Sequence, residues 1–152
     1  MTTLANDISI RVLGDEFTRD YPASVVAGQT IYKGAPVIID QSVDTTNLVT
    51  ADGVTCVDGD VFVGIAAGKV TTTTGGAAQR VTVHGYPEII GIPSTVFTVA
   101  DLGKTVYVSA FTATGLTLSA SNGAYPKIGT LFDVYNGYAW IELVAPAVLD
   151  VP

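Results

Sequence analysis

Gly34-Ala-Pro-Val-Ile-Ile-Asp40 and Gly103-Lys-Thr-Val-Tyr-Val-Ser109 are two versions of one phrase. Each starts on a glycine and runs into a strand built on β-branched residues. The echo continues in the same order along the chain. Asn47-Leu-Val-Thr50 answers to Gly115-Leu-Thr-Leu118, Phe62-Val-Gly-Ile-Ala66 to Lys127-Ile-Gly-Thr-Leu131, and Arg80-Val-Thr-Val83 to Trp140-Ile-Glu-Leu143. The offset narrows only from 69 to 60 residues. Each unit reads strand, turn, strand, glycine-centred strand, turn, strand. One short set of strands seldom covers its own apolar face, so two units predict one all-β domain, a small barrel or sandwich of two similar halves.

The rest of the chain fits that frame. Strand signals are dense from Tyr21 onward, with Val and Thr favouring extended backbone. Asn136-Gly137, flanked by alternating apolar residues, predicts a hairpin with a type I′ turn, because both residues tolerate positive φ. Asp52-Gly53, Asp58-Gly59, Gly75-Gly76 and Asn122-Gly123 mark further turns. Gly64 and Gly129 sit inside strands at matching places, where glycine marks a bulge or sharp bend. A short helical turn is expected at Val99–Leu102, and no amphipathic helix of ordinary length can be written. Phe132 and Trp140 are expected in the core, with Tyr125, Tyr135 and Tyr138 along hairpin edges.

Residues 1–20 differ from the rest of the chain. Asp7, Asp15, Glu16, Asp20, Arg11 and Arg19 give the segment a local excess of charge, while Ile8, Ile10 and Val12 share one apolar face. It reads as an N-terminal arm, ordered on the domain or reaching to a partner, or else as an ordinary first strand. The division is then an arm at 1–20, a β-barrel domain at 21–145 and an extended tail at 146–152.

Charge narrows the functions available. A net charge of −7 with scattered basic residues argues against nucleic acid, which needs a basic footprint, and against an anionic membrane surface. Only 14% of residues are charged, so much of the surface is uncharged and can be buried against a partner at low desolvation cost. A single cysteine, Cys56, fits folding in a reducing cytosol, and no basic-then-apolar leader is visible.

Site chemistry is sparse. One histidine, His84, and one cysteine do not build a zinc site. Cys56 lacks the surroundings of an activated nucleophile and reads as a half-buried strand thiol, with His84 as a strand-end residue. Asp52, Asp58 and Asp60 lack the alternating ligand pattern and closing glutamate of a calcium loop. Nothing pairs Glu88 with Glu142 as acid and base. The expectation is no catalytic residue, no cofactor and no metal.

Several runs carry a resemblance. Val26-Ala-Gly-Gln-Thr-Ile-Tyr-Lys-Gly-Ala-Pro-Val-Ile-Ile-Asp40, then Val61-Phe-Val-Gly-Ile-Ala-Ala-Gly68 and Val81-Thr-Val-His-Gly85, resemble the small head decoration, or cement, proteins of tailed bacteriophages. Gly103-Lys-Thr-Val-Tyr-Val-Ser109, Lys127-Ile-Gly-Thr-Leu131 and Ala139-Trp-Ile-Glu-Leu143 continue the order. The likeness spans about Ala27 to Val144 and rests on glycine placement and strand order. The arm and Tyr86–Val99 look longer than in compact members.

Membership would imply a β-barrel homotrimer, without enzymatic activity, made in the host bacterial cytoplasm and carried on the outer surface of the virion head. There it would bind the major capsid protein of the expanded shell and clamp it against internal DNA pressure. Ile8, Ile10 and Val12 of the arm and Tyr86, Ile89 and Ile90 of the longer segment are the candidate contacts to the capsid or a neighbouring subunit. The alternative is a carbohydrate- or surface-binding module of a phage tail or bacterial surface structure, using exposed aromatic edges.

Overall fold

The computed structural model describes residues 7–50, 60–112, 115–119 and 127–145. Its strands are β1 (Arg11–Leu13), β2 (Thr18–Ala23), β3 (Thr30–Ile31), β4 (Pro36–Ile39), β5 (Leu48–Thr50), β6 (Val61–Ala66) and β7 (Val70–Thr71). They continue as β8 (Gln79–His84), β9 (Ile89–Pro93), β10 (Thr105–Thr112), β11 (Gly115–Ser119), β12 (Lys127–Tyr135) and β13 (Tyr138–Leu143), with one 3₁₀ turn at Val99–Asp101. The fold is all-β. Strands β2-β5-β4-β6-β8 close into a barrel, β1-β9-β13-β12-β10-β11 form an open sheet, and β3 pairs with β7.

The two assemblies are one plan used twice. Read from β5, the barrel runs β5-β4-β6-β8-β2, and the sheet runs β11-β10-β12-β13-β9 before adding β1. The match extends to single residues. Val37 faces Gly64 and Ile38 faces Phe62, so Val63 is skipped; Val106 faces Gly129 and Tyr107 faces Lys127, so Ile128 is skipped. Both skipped side chains are buried. A side chain at Gly64 would run into the carbonyl oxygen of His84, and one at Gly129 into that of Glu142. Only glycine lets the bulged strand approach its neighbour so closely.

The turns leading into β4 and β10 repeat as well. Gly34 N–H donates to Ala66 O (2.8 Å), Ala66 N–H to Ala35 O (2.9 Å) and Ala35 N–H to Tyr32 O (3.0 Å). Gly103 N–H donates to Leu131 O (2.9 Å), Leu131 N–H to Lys104 O (2.9 Å) and Lys104 N–H to Asp101 O (3.0 Å). Gly34 and Gly103 hold φ of 88° and 85°, the left-handed region that other residues rarely enter.

In two strand pairs the structural match is shifted by two residues from the sequence echo. Leu48 corresponds to Leu118 rather than Leu116, because Ile39 faces the first and Val108 the second. His84 and Val83 correspond to Glu142 and Ile141, which take the same places against β6 and β12. A slip of two keeps every side chain on its expected face. The buried faces of both halves merge in one hydrophobic cluster, which includes Ile38, Ile65 and Val83 with Ile90, Ile128 and Ile141.

The halves differ in three places. Residues 67–78 join β6 to β8 through β7, whereas Asn136-Gly137 alone joins β12 to β13, with φ of 59° and 80° as the hairpin expectation requires. The barrel closes by parallel pairing of Ala23 with Leu48, reinforced by Ser24 N–H to Leu48 O (2.9 Å). In the second half β9 pairs instead with β1, through Arg11–Gly91, Val12–Ile90 and Leu13–Ile89.

Several expectations are corrected. The proposed boundary at residue 20 cuts through β2, the strand that closes the barrel against β8 and β5. Of the alternatives left open for the arm, the structure has it ordered on the domain from residue 7: Ile8 is buried, and its N–H donates to Lys33 O at 2.9 Å. Phe132 is exposed, and Trp140 is half-buried on the outer face of the sheet rather than in the core. The turns at Asp52-Gly53, Asp58-Gly59 and Asn122-Gly123, together with Cys56, Tyr125 and the tail 146–152, lie outside the described residues.

Candidate interaction surface

Strand alternation gives the open sheet two unlike faces. On β13, Ala139, Ile141 and Leu143 enter the core, so Tyr138, Trp140 and Glu142 point outward. Register places Pro93 beside Tyr138, Gly91 beside Trp140 and Ile89 beside Glu142, with Arg11 and Leu13 one strand further out. Gly91 leaves the room that the Trp140 ring fills: a Cβ there would stand 2.9 Å from Cζ3 of the indole. The Tyr138 and Trp140 rings are 5.9 Å apart at 37°, and the Arg11 guanidinium lies 4.7 Å above the Tyr138 ring, within cation–π range.

A bulge widens this surface. The pairing of β12 with β13 shifts register between Leu131 and Asp133, and Phe132 falls in the gap. A bulge re-aims a side chain, and here it leaves Phe132 49% exposed while Leu131 stays buried. Val99 (70% exposed) on the 3₁₀ turn and Leu102 (45% exposed) just after it precede Gly103, whose N–H donates to Leu131 O, and Leu13 on β1 is 47% exposed. The outer face is therefore largely aromatic and aliphatic, with Arg11, Asp133 and Glu142 on the sheet and the Asp101–Lys104 pair beside Leu102 as its charges.

The contacts expected from sequence fall in different places. Ile8 is buried, Ile10 is half-buried, and both lie over Gly34 of the barrel. Val12 pairs with Ile90, which is fully buried, so β1 and β9 do bring these residues together, but as packing within one chain. Ile89 is half-buried beside Leu13. Tyr86 is exposed, and it lines a separate small cleft at the barrel mouth with Phe17, Arg19 and Tyr21. Sequence reasoning missed Phe132, Trp140 and Leu102 as surface groups. The one available signal was Leu131-Phe132, two adjacent apolar residues that break strict alternation.

Two titratable groups meet below the surface. His84 ends β8, Glu88 precedes β9, and both are buried; His84 Nδ1 lies 2.7 Å from Glu88 Oε1. The atoms are within ion-pair reach but not aligned as a hydrogen bond, and neither Glu88 oxygen has a hydrogen-bond partner among the described residues. The two side chains touch at 2.7 Å. The contact spans the junction between the two halves. Elsewhere, Lys104 and the Thr98 backbone N–H hold the Asp101 carboxyl below its usual value. At Asp44 partial desolvation opposes ionisation, but hydrogen bonds from Asn47, Thr46 and Ser24 outweigh it and lower the pKa. Among the described residues no group of three or more His, Cys, Asp or Glu is placed to hold a metal.

Comparison with known proteins finds no matching family model, no matching curated protein and no matching solved structure.

Proposed function

We propose that this chain is a non-enzymatic capsid decoration protein. On this reading it binds the major capsid protein on the outer surface of an expanded phage head, as a homotrimer, and stabilises the shell against internal DNA pressure. One observation carries the reading: an all-β scaffold presents an outer face on which Phe132, Leu102 and Leu13 are exposed and Trp140 is half-buried. Exposed apolar patches of this kind mark interaction sites. The order of glycine-led strands shared with the decoration family supplies the choice of partner. The direct test mixes purified protein with expanded, undecorated heads of its own phage. Stoichiometric co-sedimentation, lost in a Trp140→Asp, Phe132→Asp variant that still folds, supports the proposal. Absence of binding to any such head rejects it.

A second reading is a carbohydrate-binding module, favoured by the Tyr138–Trp140 pair beside Arg11. Titration with host surface polysaccharide separates the two. Saturable quenching of Trp140 fluorescence by the glycan favours the module, and its absence together with head binding favours decoration.

A further inference from the structure

The internal repeat shows what the open half lacks. In the barrel half, the N-terminal segment runs across the Gly34 turn. Asp7 Oδ1 accepts the Lys33 N–H at 2.9 Å, Ile8 N–H donates to Lys33 O at 2.9 Å, and a Cβ on Gly34 would stand 2.9 Å from Ile8 Cβ and 3.5 Å from Ile10 Cγ2. Farther along, Ile10 and Val12 share a cleft with Lys33, Ala67, Thr82 and His84. Gly34 and Ala35 are buried as a result.

The same strip exists in the second half with no cover among the described residues. Gly103 takes the place of Gly34, Leu102 of Lys33, Phe132 of Ala67, Trp140 of Thr82 and Glu142 of His84, by the shared hydrogen bonds and strand registers. A Cβ on Gly103 would meet none of the described residues within 4 Å. Leu102 and Phe132 are 45% and 49% exposed. Residues beneath the barrel's cover are small or polar, whereas the uncovered strip is larger and more apolar and gains more from burial. Lys104, 55% exposed, replaces the buried Ala35, with its ammonium paired to Asp101 Oδ1 at 2.8 Å. The Leu102 N–H is held only by a 3.4 Å bond to Val99 O, long enough to yield to a carboxylate.

We infer that the Gly103–Phe132–Trp140 strip is a docking groove for an extended segment of another protein, one with an acidic residue followed by β-branched apolar residues in alternation. Counting excludes the N-terminal segment of a second copy as the source: each chain has one such segment and two strips, and the barrel strip already takes it. Backbone pairing and alternate side-chain pockets would give the contact its affinity and register. The inference rests on the repeat and not on which protein supplies the segment.

A peptide of residues 5–13 of this chain serves as the probe, titrated into isotope-labelled full-length protein followed by amide NMR. Saturable shifts at Leu102, Gly103 and Phe132, with Lys33 and Gly34 unmoved, are the expected result. Binding should weaken about tenfold or more for a peptide carrying Ile8→Ser and Ile10→Ser, and likewise for a Leu102→Asp, Phe132→Ser protein whose other resonances are unchanged. Shifts at Lys33 and Gly34 instead, equal binding by the double variant, or no saturable shift up to about 1 mM peptide each overturn the inference.

Discussion

The barrel half and the open half start from the same strand order, the same bulge and the same glycine turn, and they end in opposite states. The barrel closes on itself through Ala23 and Leu48 and is covered at Gly34 by Ile8. The open half places aromatic rings at the corresponding surface, and no described residue covers Gly103. Duplication gives a protein two copies of every structural device. One copy can be spent on a self-contained core while the other is left unfinished for a partner.

The sharpest way to break the comparison is at the pair of equivalent positions His84 and Glu142. His84 is buried against Glu88, so His84→Ala leaves a carboxyl inside the protein without a partner and should cost about 3–5 kcal/mol. Glu142 is exposed, and Glu142→Ala should stay within about 0.5 kcal/mol. Equilibrium denaturation of both variants checks this. Equal effects would mean that the buried pair does not secure the junction.

The bulge glycines test the equivalence itself. Gly64→Ala and Gly129→Ala each drive a methyl group into a neighbouring carbonyl oxygen, and each should cost about 3 kcal/mol. Backbone against backbone has little room to relax, so the two losses should be similar. A neutral Gly129→Ala, beside a damaging Gly64→Ala, would show that the second half does not hold the register described.

Much of this was legible in advance, for a physical reason. Glycine at 34, 64, 103 and 129 answers to steric demands that other residues rarely meet, so the repeat shows in the sequence even where side chains have diverged. Echoes placed two residues out still assign the correct faces, because the strand period is two. What stayed hidden depends on contacts between distant segments. In β2, Arg19, Asp20 and Pro22 blur the alternation, and the strand is defined by its partners β8 and β5. Ile8, Ile10 and Val12 announce an apolar face but not whose surface it meets. The outward turn of Phe132 follows from a bulge, and the approach of His84 to Glu88 from the turn between them; neither has a periodic signature.

Trp140 and Thr82 compare the two outer faces at a smaller scale. Trp140 is half-buried, packed on Gly91 and tilted against Tyr138, so Trp140→Ala should cost about 1–2 kcal/mol, less than a core tryptophan. Thr82 is exposed and donates its hydroxyl to Asp20 Oδ1 at 2.6 Å, so Thr82→Ala should cost under about 1 kcal/mol. Thermal melts of the two variants rank them. A loss at Trp140 as large as that of a buried isoleucine would return the ring to the core.

The smallest effect lies at Asp101, where the open half carries an ion pair and the barrel half has Tyr32 in the same turn. Asp101 accepts the Thr98 N–H at 2.9 Å and the Lys104 ammonium at 2.8 Å. Both favour the ionised form, and its pKa is lowered from the ordinary 3.8. A carboxyl whose pKa falls on folding stabilises the fold above its unfolded pKa and loses that contribution as the pH drops through its folded value. Asp101→Asn should therefore lower the melting temperature slightly at neutral pH, and the gap from the parent protein should close as the solution is acidified below 3.8. The site is solvated, so added salt should shrink the gap at neutral pH too. A gap that persists unchanged in acid would assign the effect to the side chain's shape rather than its charge.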